Sequence, residues 1–215
     1  MFEEATRLHF SLKCSVGGGS REVMGKLYGM GCRLDHEHVL TARHVWREIQ
    51  ERYAWPVALT DDGLYKCKPV FEQHDADLLV LRATELLEEV NSDKPIRYPK
   101  ISSKPVFLGK TVGYLATLNI RELESSRTYF STSSLSMLMG EPGRKGLRIA
   151  MTGGLIQKGF SGGPVFDEEG DVLGVLVQSL RFPLDPDVPH LSITTMPIMS
   201  ALFPFRDEIV SLLTM

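Results

Sequence analysis

Apolar and polar positions alternate along this chain in short runs separated by turn residues. The runs predict strands over 9–15, 22–28, 31–34, 39–41, 55–59, 65–71 and 78–82. A second set is predicted over 106–108, 111–117, 128–134, 147–151, 163–166, 172–180 and 192–196. Within it, Val172-Leu173-Gly174-Val175-Leu176-Val177 is apolar enough to read as a buried strand. Helical spacing is confined to 45–53, 84–90 and 205–213. Many short strands with few helices predict an all-β barrel or sandwich. Residues 91–105, rich in Pro, Ser and Lys and without periodicity, read as the connection between two halves.

Three of the segments between or beside these runs carry candidate chemistry. Gly159-Phe160-Ser161-Gly162-Gly163-Pro164-Val165 sets a serine among glycines and closes on a proline. Such a run is poor material for a helix or a central strand, but it suits a tight turn that presents backbone N–H groups. Thr41-Ala42-Arg43-His44-Val45 places a histidine directly after a strand-like pair. Asp77-Leu78-Leu79-Val80-Leu81 places an aspartate at the head of an apolar strand. The chain order is His, Asp, Ser, one of the orders in which a nucleophilic serine triad occurs.

Composition narrows the class without changing this picture. With 215 residues, the chain has room for one large or two small domains with a real core. Hydrophobic content of 43% and charged content of 24% are those of a globular protein. A net charge of −3 gives no reason to expect a nucleic-acid partner. No apolar run reaches the ~20 residues of a membrane helix, and the acidic start, Met1-Phe2-Glu3-Glu4, is not a secretory signal. Three widely spaced cysteines, Cys14, Cys32 and Cys67, form neither a disulfide framework nor a metal knuckle and read as small buried hydrophobes. A reduced, cytoplasmic home is expected. His36 and His38, beside Asp35 and Glu37, read as a surface turn, since no further ligand is close in sequence. No metal and no cofactor is expected.

Taken together, the three motifs resemble those of the chymotrypsin/trypsin-like serine peptidases, and are most similar to the bacterial HtrA (Deg) branch. Gly29-Met30-Gly31-Cys32-Arg33-Leu34 is also similar to the family's strand before the histidine. The likeness runs from about residue 10 to about residue 200. It implies two perpendicular six-stranded antiparallel β-barrels with the site between them. The first barrel, carrying His44 and Asp77, is expected over 1–95 and a linker over 96–105. The second, carrying Ser161, is expected over 106–200, with a terminal helix over 201–215. No PDZ-type domain is expected.

The resemblance implies a role for each residue. Ser161 is the nucleophile and His44 its base. Asp77 orients the imidazole; Asp75 is the competitor, but the family sets its aspartate immediately before the apolar strand. The N–H groups of Gly159 and Ser161 form the oxyanion hole. Leu155, six residues before the serine, lines the base of the primary pocket, with Val177, Gln178 and Ser179 on its walls. An apolar Leu155 favours a small or medium apolar substrate residue. Phe160 stands where trypsin-type zymogens carry an acid that pairs with a newly cut N-terminus, so activation by trimming is not expected. The expected activity is a serine endopeptidase acting on proteins in the bacterial cytoplasm, restricted or activated by a regulatory protein partner. The alternative is a catalytically silent module that holds a peptide in the same cleft. A triad esterase is disfavoured because a strand-like run, not a helix, follows Ser161.

Overall fold

The computed structural model describes residues 2–19, 24–89, 97–120, 125–139, 145–153, 159–183 and 192–214. The chain opens with helix α1 (Glu3–Leu12), followed by strands β1 (Lys13–Gly19), β2 (Met24–Arg33) and β3 (His38–Ala42). Helix α2 (Arg43–Gln50) precedes β4 (Trp55–Leu59), β5 (Gly63–Gln73) and β6 (Leu78–Glu89). The second half holds β7 (Thr111–Ile120), β8 (Ser125–Met139), β9 (Arg148–Thr152), β10 (Pro164–Phe166), β11 (Val172–Pro183) and β12 (Ser192–Ala201). A 3₁₀ turn, Phe203–Phe205, leads into helix α3 (Arg206–Leu213). The strands close into two six-stranded antiparallel barrels, in the order β1-β2-β3-β6-β5-β4 and β10-β11-β12-β9-β8-β7. The all-β architecture of two six-stranded antiparallel barrels expected from the sequence is the one observed.

Burial explains which runs are continuous and which alternate. Every residue of β3 is buried, as are Leu78 to Leu81 at the head of β6. β3 lies against α2 and β11 of the second barrel as well as its own interior, and Leu78 to Leu81 share one core with Val45 and Ile49 of α2 and Val175 and Val177 of β11, so these strands need apolar side chains throughout. Beyond Leu81, β6 is mostly exposed and runs as a ribbon with β5.

Four local expectations are corrected. Residues 84–89, expected to be helical, pair with β5 in the register Lys66↔Glu85 and Tyr65↔Leu86. Leu and Glu are good helix formers, but propensity is a small energy per residue, and the ladder formed with β5 outweighs it. Residues 9–12, expected to start a strand, finish α1, and the strand begins at Lys13. The described part of the run at 22–28 and most of the run at 31–34 belong to one strand, β2 (Met24–Arg33), and residues 22 and 23 lie outside the described residues. Residues 106–108 form no strand and lead into a turn at Leu108–Gly109.

The termini cross. α1 belongs to the first half, yet Ala5 packs with Leu115 and Phe166 of the second barrel, and the Phe2 ring sits 6.4 Å from that of Phe166. α3 follows the second barrel, yet Phe205 and Ile209 join the core that includes Leu79 and Leu81, and the Phe205 ring meets Phe71 of β5 at 6.3 Å. The described part of the connection is also tied down. Val172 donates to the Lys100 carbonyl at 2.8 Å, and Ser102 donates to that of Val172 at 2.9 Å.

Cys14, Cys32 and Cys67 are free and buried in the first core. Burial pushes the Cys32 and Cys67 thiols up to about 12, and Cys14 well above its ordinary value. Near them Arg33, its side chain only 5% exposed, donates to Asp62 at 2.7 Å. Partial burial by itself would raise the Asp62 carboxyl, but hydrogen bonds from Arg33 and Thr60 and the Arg33 charge bring it below the ordinary carboxylate range.

Two outcomes follow from this packing. Native protein should leave all three thiols unmodified by a thiol reagent such as DTNB, with full reaction only on unfolding. Asp62→Ala should lower the unfolding free energy in urea at pH 7 by about 2 kcal/mol, because it strands the Arg33 charge while the site keeps some water. Because folding lowers the Asp62 pKa, its contribution is complete above the unfolded value near ~3.9 and disappears as pH falls through the lower folded value. The gap between wild type and variant should therefore close on acidification.

Candidate active site

Helix α2 begins directly after the buried strand β3, and no side chain of its own caps it. Its first N–H groups are orphaned by the geometry of any helix start. Asp77 supplies their partners from the turn before β6: its carbonyl accepts from the Arg43 N–H at 2.9 Å, and its Oδ1 accepts from the His44 N–H at 2.8 Å. The other carboxylate oxygen, Oδ2, lies 2.7 Å from His44 Nδ1. An ionised carboxylate only accepts, so Nδ1 carries the hydrogen and Nε2 is left as the basic nitrogen. Asp77 holds this position with a φ of 55°, the one positive φ outside glycine among the described residues. The His44 ring is 35% exposed and the Asp77 side chain 15%, so one edge of the imidazole is open. Asp75 is exposed in the same turn, with its carbonyl facing Arg148.

Ser161 lies in the turn that enters β10. Gly159 and Gly162 take φ values of 99° and 85°, in the region that glycine tolerates. The turn is closed by Gly163 N–H to the Phe160 carbonyl at 3.0 Å and Gly162 N–H to the Leu176 carbonyl at 2.7 Å. Among the described residues the N–H groups of Gly159 and Ser161 donate to no backbone carbonyl. Phe160 is fully buried and stacks on Tyr129 at 6.2 Å, anchoring the turn in the second core.

The two barrels meet at this turn. Met30 of β2 donates its N–H to the Ser161 carbonyl at 2.7 Å, and the Thr41 hydroxyl donates to the Met30 carbonyl at 2.6 Å. A Cβ on Gly29 would sit 2.7 Å from both the Ser161 carbonyl oxygen and Val45 Cγ2. Ser161 and the helix of His44 thus share one small patch of backbone.

A cleft of about 410 Å³ opens beside His44 and Asp77, and Val177 and Gln178 of β11 also line it. Ser179, half-buried, is not among its lining residues, and Leu155 lies outside the described residues. The sequence reading missed the cleft's other lining residues, Arg43, Arg47, His74 and Arg148. One signal was available: Arg43 and Arg47 are four apart on α2 and share a face. Arg148 arrives from β9, where the backbone of Gly146 packs on that of Asp75. Elsewhere, Asp167, Glu169 and Asp171 gather carboxylates near β10 and β11. Lys104 and Lys110 pair with Glu169 and Asp167, and one Asp167 oxygen accepts the Glu169 and Asp171 N–H groups, so this cluster is a closed turn.

Residues 29–175 match the profile of the trypsin-like peptidase domain. No curated protein matches the chain. Among solved structures, the fold is similar to the MamO protease domain from Magnetospirillum magneticum in its apo form, at TM-score 0.62 and 12% identity, over 96% of this chain and 97% of that one. It is also similar to Rv3671c from M. tuberculosis. The inactive form of a serine-to-alanine mutant gives TM-score 0.61 at 14% identity, over 98% of this chain and 90% of that one. The active form gives TM-score 0.58 at 16% identity, over 92% and 79%. At these identities the likeness concerns the fold.

Gly162 is the most exacting position of the serine turn. A Cβ there would lie 1.9 Å from the Met30 carbonyl oxygen, at a positive φ. Gly162→Ala should cost about 3 kcal/mol or more in urea unfolding. Gly109→Ala is the control, with the same φ of 85° and nothing within 4 Å, and should cost only about 1 kcal/mol.

Proposed function

Since this chain belongs to the trypsin-like peptidase family, we propose that it is a serine endopeptidase working through Ser161, His44 and Asp77. The observation that carries this reading is the two-pronged grip of the Asp77 carboxylate on His44, through the backbone N–H and Nδ1, beside a serine turn docked on β2, the strand paired with the one that leads into the helix of His44. In the proposed reaction, Ser161 Oγ attacks the carbonyl carbon of a substrate peptide bond while its proton passes to His44 Nε2. The oxygen that becomes negative is stabilised by the N–H groups of Gly159 and Ser161, each such donor being worth ~3 kcal/mol of barrier. His44 then gives the proton to the departing amine as the C–N bond breaks, leaving an acyl group on Ser161. Water, deprotonated by the same nitrogen, releases the acid and restores the serine. Asp77 stays ionised throughout and stabilises the imidazolium.

The substrate is a protein or peptide, and Leu155 is assigned to the base of the primary pocket with Val177, Gln178 and Ser179 on its walls. The three free, buried cysteines favour a reducing bacterial cytoplasm. Restriction by a protein partner fits two observations. Phe160 fills the core where a pairing acid would be needed for activation by trimming, and Rv3671c, similar in fold, has been captured in inactive and active forms.

Labelling by a fluorophosphonate probe tests the reading. Wild type should label, Ser161→Ala should not, and Asp77→Ala should label roughly 10⁴-fold more slowly. Label that persists in Ser161→Ala would overturn the assignment of the nucleophile. A folded wild type that labels neither alone nor in cell lysate would favour the silent peptide-binding module.

A further inference from the structure

The cleft beside His44 is lined by three arginines against a single aspartate, in a protein whose net charge is −3. The aspartate is already engaged with His44. Of the arginines, Arg43 is paired with Glu72. The other two have no ion pair among the described residues. Arg47 is exposed on the face of α2 that it shares with Arg43. Arg148 contributes only a long contact from one terminal nitrogen to the Asp75 carbonyl, at 3.5 Å, and its Nε is buried with no hydrogen-bond partner among the described residues. A guanidinium donor withdrawn from water and left unsatisfied is a costly arrangement unless something accepts from it. The cleft's 410 Å³ is ample for a side chain and its backbone.

We propose that this cleft is a specificity subsite that takes an aspartate or glutamate side chain of the substrate, held by Arg47 and Arg148. The proposal rests on the peptidase reading for the word substrate. Because His44 itself lines the cleft, the acidic residue lies immediately beside the bond to be cut. A carboxylate matches the planar fork of Arg148 and satisfies its unused donors. One helical arginine, Arg47, and one strand arginine, Arg148, then flank a single anion, while Arg43 stays with Glu72. A lysine in the same position would meet uncompensated positive charge.

The test measures binding separately from catalysis. Ser161→Ala protein is applied to an array of hexapeptides, each of randomised small and apolar residues around one fixed Glu, Gln or Lys. Non-specific attraction to an acidic protein favours the Lys peptides, so a Glu preference reports the cleft. The Glu peptides should hold roughly fivefold more protein than the Gln peptides. The ratio should shrink in about 1 M salt, where the Debye length is ~3 Å. Arg47→Glu, on an exposed helix face, should abolish the preference, and adding Arg148→Glu should turn it toward Lys. Equal signal from the three sets, or a Glu preference that survives both substitutions, would overturn the subsite. Fluorophosphonate labelling of wild type separates the two ideas. A labelled protein with no Glu preference loses only the subsite, whereas an unlabelled protein with a clear Glu preference keeps the acidic subsite as that of a binding module and loses only the peptidase.

Discussion

One hydrogen bond, from the Met30 N–H to the Ser161 carbonyl at 2.7 Å, joins a strand of the first barrel to the serine turn of the second. It sets the serine's backbone relative to α2, and so to His44. Its surroundings leave it little room to drift. The Met30 carbonyl is occupied by the Thr41 hydroxyl, and Gly29 and Gly162 are small because the opposing backbone fills the space a side chain would need. Two rigid sheets are thereby registered on each other through backbone atoms, which side-chain substitutions elsewhere in the barrels do not reach directly.

The second dependency is electrostatic and local. A helix start needs partners for its first N–H groups, and here a carboxylate from another segment provides one and holds the adjacent imidazole with its other oxygen. One residue therefore both caps a helix and orients a ring. The left-handed backbone of Asp77 is the strain this double duty imposes, and the buried strands β3 and β6 flanking it supply the rigidity to hold it.

The fold and much of the site were legible because their signals are local. Gly159 to Pro164 can hardly be anything but a turn, and Leu78 to Leu81 can hardly be exposed. Both statements come from residue chemistry within a few positions. Residues 84–89 misled because their helical preference is real but small, and only the register with β5 decides against it. Residues 9–12 misled because a short apolar run does not reveal whether its neighbours are in the same sheet or on another barrel. Arg148 was invisible for a different reason. Its meaning lies in its nearness to α2, and nothing in the sequence around position 148 reports what stands across the cleft.

The crossing of the termini has a mechanical consequence. α1, ahead of the first barrel, buries Ala5 against Leu115 and Phe166 of the second, and the chain after the second barrel buries Phe205 and then Ile209 of α3 in a core shared with Leu79 and Leu81 of the first. Each half is thus belted to the other from opposite ends of the chain. Prising the barrels apart as a hinge would pull apolar side chains from both belts into water at once. Rigid-body gaping is therefore a costly way to admit or exclude a polypeptide here.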